Sequence, residues 1–379
     1  RIVDKYGDNA ENDMAINIGC SAGENRISSN IHWERHAQPI GNGTFGMDVT
    51  LAKGNNGNVA FEADIKPNKI VYNNTPWELL PCHIASDGNS YTIDRFSLQS
   101  DKQWLKINGV VGGLEEDLLT INLKDIGVED ILDLVNFHSV DFGGRATGDI
   151  YLSRMLQSPQ FSSELNVKNF SFEEGYMGDL DVKAAWNEED KAVHITGDIY
   201  DINNSHTVVS GFVSPANDTI NLRIDADRAR VEFLNSMLEG ILSEVDGTAT
   251  GTISVVGPLG DPNLIGDIRA NGSLKLNVTN TKYKMIDGLV NFTYNKMAFN
   301  NFPIADMYGN RGRINGSVDH NSLSDFTCTL NVNAEKLLAY HTEGFGELPF
   351  YGTAFVTGTA GLTADDRGIF LHANISSNE

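Results

Sequence analysis

Cysteine, proline, positive charge and long apolar runs are all scarce in this sequence of 379 residues. The three cysteines, Cys20, Cys82 and Cys328, are odd in number and widely spaced, so they define neither a disulfide framework nor a metal-ligand pattern. We expect them to be free thiols that are mostly buried. The 10 prolines stand against 37 glycines, a composition that suits many short strands with frequent turns.

The shortage of cationic residues limits the possible partners. The 28 lysines and arginines face 51 aspartates and glutamates, which gives a formal net charge of −23. Nucleic-acid affinity comes largely from cationic side chains that contact phosphates, so this charge argues against a nucleic-acid partner. Broad electrostatic docking on anionic lipid is disfavoured for the same reason, and any contact with a membrane should use apolar groups.

Segments that would anchor or export the chain are also lacking. No stretch approaches the ~18 apolar residues that cross a bilayer. The sequence opens at Arg1 without an initiating methionine or a signal peptide. We therefore expect a fragment of a longer protein, with any signal or anchor outside this sequence.

Recognisable motifs for catalysis or metal binding are missing as well. His32 and His36 flank Glu34, but the zinc-protease order places the glutamate directly after the first histidine on a helix, and Trp33 stands there. The run Gly247–Gly251 lacks the Lys-Ser/Thr ending of a phosphate loop and opens a strand rather than a helix. These observations predict a non-enzymatic protein without a cofactor or a metal.

What the sequence does have is alternation of apolar and polar residues, the pattern of strands with one apolar face. In 248–255, the residues Ala249, Gly251, Ile253 and Val255 share one face. The same pattern recurs in 220–227, 274–278, 330–334 and 369–375. Turns between the strands are predicted by Asn-Gly pairs at 42–43, 108–109, 271–272 and 315–316 and by Asp-Gly pairs at 87–88, 246–247 and 287–288.

Two segments have helical spacing instead. Apolar residues recur every three or four positions from Phe233 to Val245, just ahead of an Asp-Gly pair. A weaker stripe runs from Ile131 to Val135. The predicted fold class is therefore mainly β: a long, curved, repeat-built sheet that forms an open groove, with one or two short helices packed on it.

A repeat with a spacing of 103 residues runs through the sequence. Gly144–Gly148 and Gly247–Gly251 both have the pattern Gly-x-Ala-Thr-Gly at this spacing. The same spacing relates Val128-Glu129 to Val231-Glu232 and Pro159 to Pro262, and a partial third copy lies at 333–338 and 351–354. A period near one hundred residues fits a multi-strand module. Because no proline-rich linker separates the copies, we expect the modules to continue one another.

The apolar strand faces supply the candidate binding residues. An uncovered face would form a groove for an extended apolar ligand, whereas a covered face would be an ordinary core under a helix or a second sheet. The candidates are Ile121, Leu123, Leu222, Ile224, Ile253, Val255, Leu274, Leu276, Val278, Leu330 and Val332.

Several stretches together have the pattern of a known family. They are 283–292 (Tyr-Lys-Met-Ile-Asp-Gly-Leu-Val-Asn-Phe), the glycine-rich continuation 304–320, the segment 350–358 (Phe-Tyr-Gly-Thr-Ala-Phe-Val-Thr-Gly) and Gly257–Gly266. Over 247–379 the sequence resembles the C-terminal domain of the TamB family, a part of the AsmA-like superfamily. Upstream, 77–81 and 97–103 resemble the preceding repeats of Bacteroidetes-type members. These motifs identify an architecture and no active site.

The resemblance implies a domain organisation, a location and a function. It divides the chain into AsmA/TamB-like β repeats at 1–246 and a C-terminal-type β domain at 247–379. It implies a location in the periplasm of a diderm bacterium, with an inner-membrane anchor outside this sequence. The implied function is transport of phospholipid between the inner and outer membranes along a groove that holds the acyl chains. An outer-membrane barrel protein of the assembly type is the implied protein partner.

Two other functions stay open. The chain could act as a scaffold or chaperone for outer-membrane proteins, through strand addition at an open sheet edge. It could also be a β-solenoid adhesin or a polysaccharide-binding protein, although carbohydrate sites favour clustered aromatic residues. The four tryptophans are scattered instead, at positions 33, 77, 104 and 186.

Overall fold

The computed structural model describes residues 2–4, 14–36, 40–54, 57–134, 141–201, 205–239, 241–277, 279–321, 324–342, 352–365 and 368–377. These residues form 25 strands and two short helices. Each strand pairing described below is antiparallel, and most strands pair with the next one along the chain. The mainly β class with one or two short helices is confirmed.

The chain forms two compact units. Unit 1 contains residues 1–131 and 145–166, and unit 2 contains residues 132–144 and 167–379. Helix α1 (Val128–Leu134) and strand β13 (Gln160–Phe172) contribute residues to both units. The boundary between 246 and 247 that the sequence suggested lies inside strand β18 (Leu242–Gly257), and that division stays a prediction.

Unit 1 is a sheet with one inserted hairpin. Its strands are β1 Ile2–Asp4, β2 Met14–Ala22, β3 Arg26–Arg35, β4 Gly41–Lys53, β5 Val59–Ile65, β6 Asn68–Tyr72, β7 Thr75–Leu79, β8 Cys82–Ser86, β9 Tyr91–Ser100, β10 Gln103–Val111, β11 Leu118–Gly127 and most of β12 Phe142–Ser153. Strand β4 pairs with both β5 and β6, and β9 pairs with both β7 and β8. A small core forms there around Ile65, Leu79 and Cys82.

Unit 2 is a regular meander. From β14 to β25, every strand pairs with its successor. The strands are β14 Gly175–Asn187, β15 Ala192–Tyr200, β16 His206–Ser214, β17 Thr219–Arg230, β18, β19 Asn263–Leu276, β20 Thr281–Thr293, β21 Lys296–Asp306, β22 Arg311–Asn321, β23 Ser324–Thr342, β24 Gly352–Asp365 and β25 Gly368–Ser377. Its core cluster consists of Phe302, Ile304, Ala334, Leu337 and Val356.

The alternating segments form strands as predicted. Residues 220–227 lie in β17, 248–255 in β18, 274–276 in β19, 330–334 in β23 and 369–375 in β25. Val278 and Tyr351 lie outside the described residues. The period-two pattern therefore identifies the strand interiors correctly.

The prediction of turns from Asn-Gly and Asp-Gly pairs is largely wrong. Only Asp87-Gly88 connects two strands, β8 and β9. The other pairs, at 42–43, 108–109, 246–247, 271–272, 287–288 and 315–316, lie inside strands. Several of them stand at β-bulges, where one strand carries an extra residue and the ladder bends. Backbone freedom at these positions serves the curvature of the sheet instead of chain reversal.

The helix predicted from Phe233 to Val245 is also wrong in extent. Helix α2 covers only Leu234–Met237, and β18 begins at Leu242. Two competing contacts explain the early end. Leu242 pairs with Leu276 of β19, and the Asn235 side chain bonds both Val245 N (2.8 Å) and Val245 O (3.0 Å). Tertiary pairing thus overrides the helical spacing of apolar residues.

Candidate functional site

One face of the unit 2 sheet is apolar across consecutive strands. The register connects Ile224 of β17 to Ile253 of β18, and Ile253 to Gly266 of β19. The same cross-strand row continues through Phe292, Met297, Val318 and Cys328 in one direction and through Val209, Gly197 and Val182 in the other. We call this surface, from β14 to β24, the apolar face.

The opposite face is polar and exposed. The row next to Ile253 on that face contains Thr196, Ser210, Arg223 and Ser254. Arg223 donates two hydrogen bonds to Asp225, at 2.8 and 2.7 Å, and these bonds lower the pKa of the Asp225 carboxyl. Alternation of polar and apolar residues thus gives the sheet one polar face that contacts solvent and one apolar face.

Four of the sequence candidates meet at the centre of the apolar face. Leu222 lies opposite Val255, and Ile224 lies opposite Ile253, on the adjacent strands β17 and β18. All four side chains are partly exposed, and none belongs to a core cluster of buried residues. This group is the central apolar patch.

The remaining candidates lie elsewhere on the apolar faces. Val332 packs against the core cluster of unit 2, and Leu123 of unit 1 is only 3% exposed, so both contribute to packing. Leu274 lies opposite Tyr283, Leu276 opposite Leu242, Leu330 opposite Leu362, and Ile121 opposite Ile107 in unit 1. Val278 lies outside the described residues.

The apolar face is concave and has no second sheet on it within the described part of unit 2. Apart from the weakest contacts, the strands of unit 2 that are not sheet neighbours meet only where β14 contacts β17 and where β23 contacts β20 and β21. The second of these contacts involves residues of the apolar face itself, such as Phe302 and Leu337. A face whose residues approach one another across intervening strands is curved inward. The inward curvature shown by these contacts lies at β20–β23, where the core cluster forms.

Two strand ends in unit 2 have a buried aspartate, Asp201 directly after β15 and Asp306 as the last residue of β21. Asp201, whose side chain is 2% exposed, accepts a hydrogen bond from Arg230 Nε at 2.9 Å. This bond raises the pKa of the Arg230 guanidinium. In the next module Asp306, 1% exposed, accepts instead from Leu338 N at 2.8 Å. Asp306 also accepts from Tyr308 N and Asn310 N, both at 2.9 Å, in the turn between β21 and β22.

A second repeated device involves a threonine that precedes a glycine: Thr147 and Thr250 of the Gly-x-Ala-Thr-Gly motif, and Thr357 in Val-Thr-Gly, which lies outside that motif. Thr147, Thr250 and Thr357 each accept a backbone hydrogen bond of 3.0 Å through Oγ1. The donors are Asp125, Arg228 and Lys336, whose φ angles are 55°, 54° and 53° and which stand at β-bulges of β11, β17 and β23. The Gly-x-Ala-Thr-Gly motif thus holds a bulge in place.

Asparagine-glycine pairs hold three further bulges by the same chemistry. Asn108, Asn271 and Asn315 accept, through their side-chain oxygens, from the backbone N–H groups of Arg95, Asp287 and Asn301. At each bulge the apolar alternation changes phase by one residue. The sequence signal for these bulges was a one-residue shift in the apolar alternation on the strand opposite an Asn-Gly or Thr-Gly pair. Interpretation of the Asn-Gly pairs as hairpin turns missed this signal.

The residues weighed for chemistry do not form a reactive centre among the described side chains. His32 and His36 both approach Glu34, at 3.0 and 3.9 Å, but His32 and Glu34 lie on strand β3 and His36 directly follows it, so no helix holds them. No group of three or more potential metal ligands occurs in the described part of the chain. None of the three cysteines forms a disulfide, and the expectation that they are mostly buried is wrong, because only Cys82 is buried, Cys328 is partly buried and Cys20 is exposed. Burial raises the pKa of the Cys82 thiol, which makes it a weaker nucleophile.

Comparison with known proteins adds no identification. No protein-family profile, curated protein or solved structure matches the chain. Among the described helices, none has the length and apolar character needed to span a bilayer.

Proposed function

We propose that the concave apolar face is a trough that holds phospholipid acyl chains, and that the protein carries phospholipid across the periplasm as a TamB-type member of the AsmA-like superfamily. The observation that supports this proposal is the uncovered row of apolar residues around Ile224 and Ile253. Ordinary cores exclude water by adding a second layer. Helix α2 contacts β14 and β18, but no second sheet covers the described apolar face around Ile224 and Ile253, and such a partly exposed surface suits a ligand.

The energetics favour a lipid as that ligand. Each CH₂ group moved out of water contributes about 0.8 kcal/mol, so an acyl chain of ~15 such groups gains about 12 kcal/mol from an apolar track. The row of the apolar face crosses from β14 to β23 without a charged side chain. A chain in the trough could therefore move from strand to strand without meeting a charge, which would cost several kcal/mol.

The proposal includes the location and partners that the resemblance implies. The protein acts in the periplasm of a diderm bacterium, with an anchor in the inner membrane and a barrel partner at the outer membrane. It has no catalytic step, since carrying a lipid along an apolar track requires no bond to form or break.

Mass spectrometry of an organic extract tests the proposal. We expect the gently purified chain to release at least one phospholipid per molecule, and Ile253→Asp to abolish this, because the new charge would lie in the central apolar patch. The matched control is Ser254→Asp, which places the same charge on the opposite face. An extract from the folded chain no richer than that of an acidic protein of similar size would refute the trough.

A second function is favoured by strand β25. Within the described residues β25 pairs with β24, and the outer edge of an antiparallel ladder can present backbone groups to a further strand. Such an edge can accept an extended peptide, as the scaffold function for outer-membrane proteins requires. Binding of extended barrel-protein peptides that is unchanged by Ile253→Asp would favour this alternative over lipid transport.

A further inference from the structure

The polar face of unit 2 carries a cluster of cations that the net charge of −23 conceals. Lys284 of β20 lies opposite Ala305, which lies opposite Arg311 of β22. Arg313 follows two residues later on the same face, and Lys336 lines a shallow pocket of about 470 Å³ together with Arg311. We call Lys284, Arg311, Arg313 and Lys336 the basic patch.

These four cations are available to an outside partner. All four residues are exposed, and none of them forms an ion pair with another described side chain. By contrast, most cations of unit 2 have a carboxylate partner, as Arg269 has in Asp287. One carboxylate, Glu335, lies opposite Arg311, so the patch keeps an excess of positive charge.

Exposed apolar side chains adjoin the basic patch. The turn between β21 and β22 carries Met307 and Tyr308, and each is 58% exposed. The Tyr308 ring rests on the Phe355 ring at 5.3 Å, which holds it at the edge of the sheet. Arg311 follows the turn directly. Cations beside an exposed methionine and tyrosine match the interface of an anionic bilayer, where the headgroups attract cations and the interfacial zone accepts amphipathic rings.

We infer that the basic patch and the Met307–Tyr308 turn dock on a membrane surface that contains anionic phospholipid. The remaining acidic surface does not prevent this contact, because charges more than about 8–10 Å away are largely screened at physiological salt. An acidic protein would attract the cations but would leave the two exposed apolar residues without a function. The inference concerns the polar face and does not depend on uptake of lipid into the trough.

Co-sedimentation with vesicles tests the inference. The full chain is mixed with vesicles of phosphatidylcholine alone, or of phosphatidylcholine with phosphatidylglycerol, at low and at physiological salt. We expect binding to the anionic vesicles only. Arg311→Gln with Lys336→Gln should lower the partition coefficient about 30-fold, from about 1 kcal/mol per cation at 1.4 kcal/mol per tenfold. Met307→Ser with Tyr308→Ser should also weaken binding.

The control removes the same charge elsewhere in unit 2. Lys168→Gln with Arg269→Gln removes two exposed cations that are paired with Asp179 and Asp287, and it should leave vesicle binding within about threefold of the parent. Circular dichroism verifies the fold of each variant, and Lys284→Gln with Arg313→Gln replaces the first double variant if that one unfolds.

Several results would overturn the inference. One is an equal loss of vesicle binding in the patch variant and the control variant, and another is absence of binding to anionic vesicles. A third is displacement of the chain from vesicles by millimolar inorganic phosphate, which would indicate a site for a free phosphate. Association of the chain with itself through the patch, abolished by Arg311→Gln with Lys336→Gln when no vesicles are present, would identify a second copy as the partner instead.

Discussion

Gly251→Ala should destabilise unit 2 strongly, because the position has no room for a side chain. Gly251 has a φ of +148°, and a Cβ built there would stand 2.1 Å from the carbonyl oxygen of Asp267 on β19. The conformation costs a non-glycine residue about 1–3 kcal/mol, and relief of the overlap by a shift of β19 costs a similar amount. We expect a loss of about 4 kcal/mol, a large part of the 5–15 kcal/mol that stabilises a typical domain.

Hydrogen exchange is the suitable assay, because a repeat-built sheet can unfold in parts and a single unfolding midpoint would average over them. Peptides that cover 242–276 should lose protection in Gly251→Ala. The control is Gly260→Ala, where no atom lies within 4 Å of the built Cβ. Equal protection in the two variants would refute the reasoning. Gly148→Ala, 2.1 Å from Glu164 O, and Gly358→Ala, 2.3 Å from Asn374 O, should repeat the effect in their own strands.

Three further predictions follow from the bulges and the buried polar groups. Thr250→Val should cost about 1 kcal/mol in urea unfolding because an exposed backbone N–H loses its acceptor, and Thr250→Ser should restore the stability. Asp306→Ala should cost about 3 kcal/mol, measured by exchange of the buried Leu338 amide that it leaves unpaired. Burial lowers the pKa of His320 below its unfolded value near 6.5. The folding stability that depends on the neutral imidazole is therefore fully present above pH 6.5 and is lost as the pH falls through the folded pKa. His320→Gln should therefore flatten the decline in stability between about pH 7 and pH 5.

Each of these predictions has a contradicting result. Equal unfolding of Thr250→Val and the parent would mean that solvent replaces the threonine hydroxyl without cost. Retained protection of the Leu338 amide in Asp306→Ala would show that the Asp306 carboxylate is not the acceptor that protects this amide. Parallel stability–pH profiles for the parent and His320→Gln would show that other groups dominate acid sensitivity.

The strand content was predictable because alternation is a local property. Leu222 and Ile224 share one face of their strand, as do Ile253 and Val255, and burial of an apolar face favours the register that puts both pairs on the same side. Which strands neighbour each other was also accessible, since consecutive strands joined by short connections usually pair. The central apolar patch follows from these two rules.

The bulges at the Asn-Gly pairs were not predicted, because Asn-Gly has two uses that the sequence does not separate by composition. In a hairpin the glycine takes a positive φ at the turn. In this sheet Gly272 has a φ of +152° inside β19, while the oxygen of Asn271 accepts from Asp287 N at 2.8 Å on the next strand. The distinction depends on the partner strand, where the apolar alternation shifts phase. Only a comparison of two strands in register reveals it.

The burial of individual candidates was equally inaccessible to sequence reasoning. Val332 and Ile253 have the same local pattern and both are partly buried, yet only Val332 packs against the core cluster. The difference arises from curvature, which brings β23 near β20 but has no such effect on the neighbours of β18. Curvature results from the bulges, so missing the bulges also meant missing this division of the apolar face.

Concavity also restricts what the apolar face can bind. Two concave faces cannot meet over their full area, and a flat sheet cannot enter a curved one, so self-association through the trough would bury little apolar surface. A narrow flexible chain can follow the curve and replace water along a whole cross-strand row. The bulges that curve the sheet therefore affect binding specificity as well as the fold. They leave an apolar surface uncovered, and the curvature excludes wide partners such as a second sheet. Flattening the sheet at the bulges held by Asn315 and Thr357 would remove this selection before it removed the apolar residues themselves.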